Sequence, residues 1–414
     1  MTDRSLFVCV DLEGASHLVG RLWARSRTGK ESATFEYDPA WLANPFRFAL
    51  EPALTLGKGP HHTAAGRLVF GAIGDSAPDR WGRVLIQREE RRKAREEKRA
   101  PRTLLEVDYL LAVGDIARQG ALRFAEQEGG PFLATGVQIP PLLQLPALLG
   151  AALRMGEDGG SDDDLRLLLA PGSSLGGTRP KASVVDRDGQ LAIAKFPQHG
   201  DETRITLWEA VALTLAAKAG IPTPEWRIKN VADRDVLLLR RFDRRGRARI
   251  PFLSAMSLLN AADHELHSYL EIADALRQYG AKADKDCVQL WRRIVLSILI
   301  SNTDDHLRNH GFLYEASGWR LAPAYDLNPM PVDIKPRILT TAIDEADGTA
   351  SLDLALEVAP HFGVKPDKAN DIVREVGKAV SHWRETAVAT GLTNKEIERM
   401  GSAFEHNELR QALR

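Results

Sequence analysis

The sequence predicts an α+β chain with a β-rich small lobe, a helical large lobe and an added N-terminal α/β domain. Short alternating apolar runs bounded by Gly, Pro and Asp recur before Arg241, as half-buried strands do. Beyond Pro251 apolar residues fall at helical spacing, as in Trp291, Ile294, Val295, Ile298 and Leu299. Between them in character stands Ser301–Pro329 (SNTDDHLRNHGFLYEASGWRLAPAYDLNP), which sets Asp304, then Asn309, then Asp326 around a hairpin pattern. Asp, Asn and Asp in that order follow the catalytic and metal-binding loops of protein kinases, so the two-lobed fold is expected to be protein-kinase-like. A chain of 414 residues exceeds one compact core, and the expected boundaries are residues 1–130, 131–250 and 251–414.

Composition narrows the function classes. Hydrophobic residues at 44% and charged residues at 27% are ordinary soluble-globular values. The formal net charge of -1 gives no global pull toward nucleic acid. Cys9 and Cys287 are the only cysteines, which excludes a disulfide scaffold or a Cys-rich zinc site. The opening MTDRSLFVCVDLEG has no signal-peptide pattern, and Ile294–Ile300 is far too short to span a bilayer. A cytoplasmic location is expected.

In chain order, Leu6–Leu12, Ser16–Trp23 and Ser32–Tyr37 read as strands of an antiparallel sheet. Gly71–Arg83 is turn-rich and leads into the helical pattern Trp81–Gln87, with Asp79 placed to cap it. Arg88–Arg102 mixes both charge signs at helical spacing, which predicts a solvated helix rather than a nucleic-acid contact. Thr103–Val113 reads as a helix, 113–124 as a turn into a strand, and Pro140–Arg154 and Asp162–Leu169 as amphipathic helices. Ala182–Val185 and Gln190–Phe196 read as strands, Thr206–Ala219 as a helix stopped at Gly220, and Trp226–Lys229 and Asp235–Arg241 as paired strands. Glu271–Tyr279, Asp286–Ile300, Ser351–Val358, Pro366–Ala389 and Asn394–Leu413 are expected helices.

The chemistry concentrates in three places. A hairpin over Gly311–Ala322 returns Asp326 toward Asp304 and Asn309, and converging carboxylate and amide oxygens suit Mg2+ shared with substrate phosphates. Asp304 is then the residue to orient or deprotonate an attacking hydroxyl, and His306 to orient the loop. One Asp alone would read as a solvated acidic loop; the combination outweighs that reading. Pro171–Val184 gathers Gly172, Ser173, Ser174, Gly176, Gly177, Arg179 and Lys181, and glycines let backbone amides approach phosphate oxygens. It lacks the Gly-Lys-Ser/Thr of a Walker A loop, and glycine content alone fits a flexible surface turn equally well. Lys195 ends a strand after that loop, as a phosphate-holding kinase lysine does, although most strand lysines face solvent. Glu209, on the first turn of the next helix, could pair with Lys195 or simply complement the helix dipole. His264, His267, His306 and His310 show no HExxH-type ligand spacing.

In detail, TDDHLRNHGF and LAPAYDLNP resemble the HipA family of bacterial toxin kinases. The Pro78-Asp79-Arg80-Trp81-Gly82-Arg83 element, the Val113-Gly114…Gly120-Ala121-Leu122 segment and the Ser174-Leu175…Lys181 loop are similar to family elements in the same order. The resemblance implies a protein serine/threonine kinase using ATP and Mg2+. Asp304, Asn309, Asp326 and His306 would be catalytic, with Asn309 and Asp326 on the metal. ATP would meet Lys195, Lys181, Ser174, Gly176, Gly177, Glu209 and a hinge of Arg241, Phe242 and Asp243. The hinge follows Arg240 where the family has Glu. Ser174, or Ser173 beside it, would be autophosphorylated, ejecting the loop. The resemblance further implies a toxin paired with a small helix-turn-helix antitoxin, DNA contact mainly through that partner, and a substrate such as an aminoacyl-tRNA synthetase. A small-molecule kinase and a catalytically silent antitoxin-binding co-repressor are the alternatives.

Overall fold

The structure, a computed structural model, describes residues 2–27, 30–64, 66–136, 138–157, 159–169, 177, 179–315 and 317–414. It contains two compact units, one of Met1–Gly200 with Lys229–Leu253, the other of Asp201–Ile228 with Ser254–Arg414.

The first unit opens on an antiparallel sheet. Its strands are β1 (Thr2–Leu12), β2 (Ala15–Arg27), β3 (Lys30–Tyr37), β4 (Pro60–His62) and β5 (Leu122–Ala125), in the order β4-β3-β2-β1-β5. Alternation drives it: Leu6, Val8 and Val10 of β1 are buried with Val19 and Leu22 of β2. The strands run several residues further than the apolar pattern predicts, because pairing with a neighbour sustains extended backbone where the side chains alone do not.

A second sheet takes β6 (Lys181–Val185), β7 (Leu191–Lys195), β8 (Trp226–Val231) and β9 (Arg234–Arg240) in the order β6-β7-β9-β8. Its inward residues Ala182, Val184, Ala192, Ala194, Val236 and Leu238 share a core with helices Leu145–Gly156 and Asp162–Leu169 and with Trp81 and Leu85. Those last two belong to helix Arg80–Glu96, which Asp79 caps through Gly82 N at 2.7 Å. Its charged stretch is solvated at Arg91, Lys93, Arg95 and Glu96 with i,i+4 pairs as expected, but one face packs. Glu90 and Arg92 are buried, Arg92 pairing with Glu89 and Glu96 and Glu90 with Arg99, so ion pairing lets a charged face pack. Three short strands follow: β10 (Arg244–Arg245), β11 (Ala248–Arg249) and β12 (Phe252–Ser254).

The second unit is built around helix Ala283–Leu299, in which Leu290, Trp291, Ile294, Val295, Ile298 and Leu299 are all inaccessible. Trp291 Nε1 donates to Ala355 O at 2.8 Å, giving the buried indole its partner. Trp383 stacks on Phe404 with centroids 4.5 Å apart, and Trp208 leans on both. Two helices expected to be continuous are broken. Pro366–Ser381 and Trp383–Ala389 part at His382, and Asn394–Phe404 and Asn407–Ala412 part at Glu405-His406. Both sequences keep helical periodicity through the break, so the pattern alone hides it. The hairpin is present as β13 (Gly311–Glu315) and β14 (Gly318–Leu321), with Phe312 opposite Leu321. Among the described residues no helix is long and apolar enough to cross a membrane.

Candidate active site

Helix Ala283–Leu299 delivers the loop and Ser301 turns it sharply, with φ +52°. That turn is held from outside: Ser301 Oγ donates to Ala403 O at 2.8 Å, and Arg337 Nε donates to Ser301 Oγ at 3.0 Å. Thr303 O accepts from Thr340 Oγ1 at 2.9 Å and from Lys335 Nζ at 3.3 Å. The loop is pinned along its length.

The adjacent acids Asp304 and Asp305 then take opposite roles. The Asp304 side chain is 61% exposed, with Lys335 Nζ 3.9 Å from Oδ1. Asp305 is buried; its Oδ2 accepts from Tyr269 Oη and from Ser297 Oγ, the latter at 3.2 Å. His310 Nε2 lies 2.9 Å from Asp305 Oδ1, at ion-pair distance but out of line for a hydrogen bond. Thr341 closes the group through Asp305 O. Asp305 therefore anchors the loop and turns Asp304 outward.

The far wall comes from the hairpin. Ala322 N donates to Gly311 O at 2.8 Å, so the ladder continues past β14 and aligns residues 323–328 with the loop. Tyr325 Oη donates to Arg308 O at 2.7 Å, and Asn328 N donates to Asn302 Oδ1 at 3.0 Å. Asp326, at φ +58°, sits between these two tethers. Asn309 Nδ2 donates to Asp304 O at 2.8 Å, which leaves the amide oxygen as the atom available to a cation. His306 O accepts from Asn309 N at 2.8 Å, while its Nδ1 is buried without a partner among the described residues. Asp304, Asn309, Asp326 and His306 are thus on one stapled loop pair. The oxygens of Asn309 and Asp326 are the hard donors Mg2+ takes, and two protein ligands suffice for an ion that keeps waters and shares substrate phosphates.

The lysines lie in the first unit. Lys181 and Lys195 are direct cross-strand partners of β6 and β7, hence on one face. Lys181 is buried, and its Nζ meets Asp79 Oδ2 at 2.9 Å, so one carboxylate caps a helix and neutralises this lysine. Lys195 is half-buried and has partners of its own. The side chains of Arg241 and Asp243 are committed to each other, with Arg241 Nη2 2.5 Å from Asp243 Oδ2. Arg241 also donates to Ala117 O, and Asp243 accepts from Gly120 N at 2.7 Å. Burial alone would raise the Asp243 carboxyl, but the guanidinium groups of Arg241 and Arg244 outweigh it and hold it below the carboxylate range. The side chains of Arg241 and Asp243 are thus occupied within the fold.

Glu209 is in the second unit. Its helix starts at Ile205, so Glu209 is the fifth residue and not in the first turn, and it is 2% exposed. That removes the surface, dipole-complementing reading. Gly177, at φ +103°, holds a conformation suited to glycine. Ser173, Ser174 and Gly176 lie outside the described residues. The sequence reading missed the anchors Tyr269 and Thr341 and the pairing of Asp79 with Lys181, since contacts 36 or 102 positions apart leave no local signal; it also missed Ser297, which donates to Asp305.

The chain is similar to several known proteins. The family described as HipA-like C-terminal domain matches residues 173–383. A Sinorhizobium fredii protein, Y4mE, whose name carries the word kinase, is 26% identical over 279 residues. That match takes in 57% of this chain and 62% of the relative, so it spans less than two thirds of the relative's length. Among solved structures, HipA of Shewanella oneidensis, in complex with HipB and operator DNA, superposes with a TM-score of 0.67 at 16% identity. That superposition covers 99% of this chain and 96% of the other and shows a shared α+β kinase-like fold. The Helicobacter pylori proinflammatory kinase CtkA gives a TM-score of 0.46 at 15% identity, over 58% of this chain and 92% of its own. With its fold and more than half its length matched, the chain belongs to the HipA family.

Proposed function

We propose that this protein is an ATP-dependent protein serine/threonine kinase acting as the toxin of a toxin–antitoxin pair. The observation that carries the reading is the division of labour at Asp304 and Asp305: one carboxylate exposed, its neighbour buried as anchor, beside tethered Asn309 and Asp326. Asp304 accepts the proton of the acceptor hydroxyl, and His306 keeps the loop in register. Asn309 and Asp326 would hold Mg2+, which would supply charge neutralisation at the substrate phosphates. Lys195 takes phosphate oxygens, and the buried Lys181–Asp79 pair supports the strand beside it. Backbone amides around Gly176 and Gly177 cradle the phosphates, and the segment Arg241, Phe242 and Asp243 lies against the adenine. Positioning and charge neutralisation supply most of the rate, since phosphoryl transfer asks little covalent chemistry of the protein.

Ser174, with Ser173 next to it, is the autophosphorylation site. The Shewanella complex supports a small helix-turn-helix antitoxin as partner, with DNA reached mainly through it. The substrate class is a translation protein such as an aminoacyl-tRNA synthetase, and the site of action is the cytoplasm.

Intact mass after incubation of dephosphorylated protein with Mg-ATP tests this directly. A phosphate-sized gain is expected in the wild type and absent in Asp304→Asn and Ser174→Ala. A gain that survives Asp304→Asn would remove Asp304 from the chemistry; no gain and no ATP binding in the wild type would overturn the kinase reading.

A further inference from the structure

A cavity of about 580 Å³ opens in the second unit, within the size range of small-molecule sites. Its wall includes Asp286, Gln289 and Arg293, which share one face of helix Ala283–Leu299, with Pro222, Arg320 and Leu321 opposite. Asp286 is already satisfied. Its carboxylate accepts from Arg320 Nε at 2.7 Å, Arg320 Nη2 at 3.0 Å and Leu321 N at 3.1 Å. That contact accounts for Arg320; Asp284 and Lys285 also line the cavity but are exposed, which leaves Arg293 as its buried cation.

Arg293 is 4% exposed. Its Nη2 donates to Ala322 O at 2.5 Å, but Nε and Nη1 find no acceptor among the described residues. Gln289 Oε1 is likewise buried without a donor. A buried guanidinium with no carboxylate bonded to it is costly, and burial pushes Arg293 down to about 10 against the opposing fields of Tyr325 and Asp286. Unmet donors and an unmet acceptor on one helix face, beside a cavity, describe a ligand with the opposite groups.

We propose that this cavity binds a small organic anion, whose carboxylate or phosphoryl oxygens accept from Arg293 while a hydroxyl or amine of the same molecule donates to Gln289 Oε1. The guanidinium pivots toward the cavity and keeps Nη2 on Ala322. Pro222 and Leu321 give the ligand's carbon skeleton an apolar surface. Because Ala322 leads directly to Tyr325 and Asp326, an occupant that fixes Arg293 also stiffens the segment tethered to Arg308. The site shares no residue with those assigned to nucleotide or metal, so it stands whether or not the kinase reading does.

Calorimetric titration of the full chain with inorganic phosphate and with L-malate tests the proposal and separates the two anion sources. One-to-one binding of at least one probe is expected. Arg293→Met should weaken it at least about tenfold and Gln289→Met about tenfold, the worth of one hydrogen bond. Lys195→Met should leave it unchanged, which excludes capture by the strand lysines. Hydrogen exchange over residues 320–330 should slow on binding. Gln289→Met removes an unpartnered acceptor, so it stays informative should Arg293→Met fail to fold. Binding of neither probe, or binding insensitive to Gln289→Met and lost in Lys195→Met, would overturn the proposal.

Discussion

Individual acids in this protein differ by what surrounds them, and Glu51 shows how far that goes. It is 2% exposed, and its carboxyl is pushed up to about 7, chiefly by burial, against a lowering hydrogen bond from Ala72 N. The unfolded chain releases this proton near pH 4.3, while the folded chain keeps it to about 7. Folded protein therefore holds the extra proton between those values, and stability falls as pH rises through that window. Glu51→Gln carries no proton to lose and can keep an acceptor for Ala72. Urea unfolding should show the variant gaining on the wild type by on the order of 3 kcal/mol between pH 4.5 and 8. A difference that stays constant with pH would mean that Glu51 does not titrate in the fold. Asp304 and Asp305 make the same point without titration: their neighbours in space, not in sequence, decide which one faces solvent.

Among the elements, the hairpin β13–β14 matters most, because it brings Asp326 back alongside the loop of Asp304. Its turn requires glycine at 318. Gly318 has φ +153°, and a Cβ there would stand 2.7 Å from Tyr279 O and 2.9 Å from Ala281 N. Gly318→Ala should cost about 1–3 kcal/mol in urea unfolding, and phosphorylation should slow with it as the far wall shifts. An unchanged unfolding midpoint would show that the backbone yields at no cost. The hairpin was legible from Gly311–Tyr314, the turn residues and Trp319–Ala322, since all its signals are local. The breaks at His382 and at Glu405-His406 were not, because neither carries Gly or Pro and tertiary packing sets where each helix stops.

At the scale of the molecule, the residues proposed for the chemistry are found in both compact units. Lys181 and Lys195 belong to the first, and Asp304, Asn309, Asp326 and Glu209 to the second. Expression without an antitoxin should halt growth, and Asp304→Asn should abolish the arrest at equal protein level, read as colony counts and culture density. Arrest that persists in that variant would separate toxicity from catalysis. Coexpression with a small helix-turn-helix protein from a neighbouring reading frame should restore growth to the wild-type strain.

The sequence alone determined the fold class, most elements and the order Asp304, Asn309, Asp326, because strand alternation, helical periodicity and turn residues are local properties of the chain. It also placed the cap at Asp79 and the buried stripe of the central helix. The tertiary structure alone decided the rest: that Lys181 spends its charge on Asp79, that Arg241 and Asp243 lock each other, and that Glu209 is buried. It likewise left Nε and Nη1 of Arg293 without an acceptor among the described residues, beside a cavity. The reason is physical. Whether a charge is free, neutralised or stranded depends on groups brought near it by folding, and such a group can lie 192 positions away, as Glu396 does from Arg204.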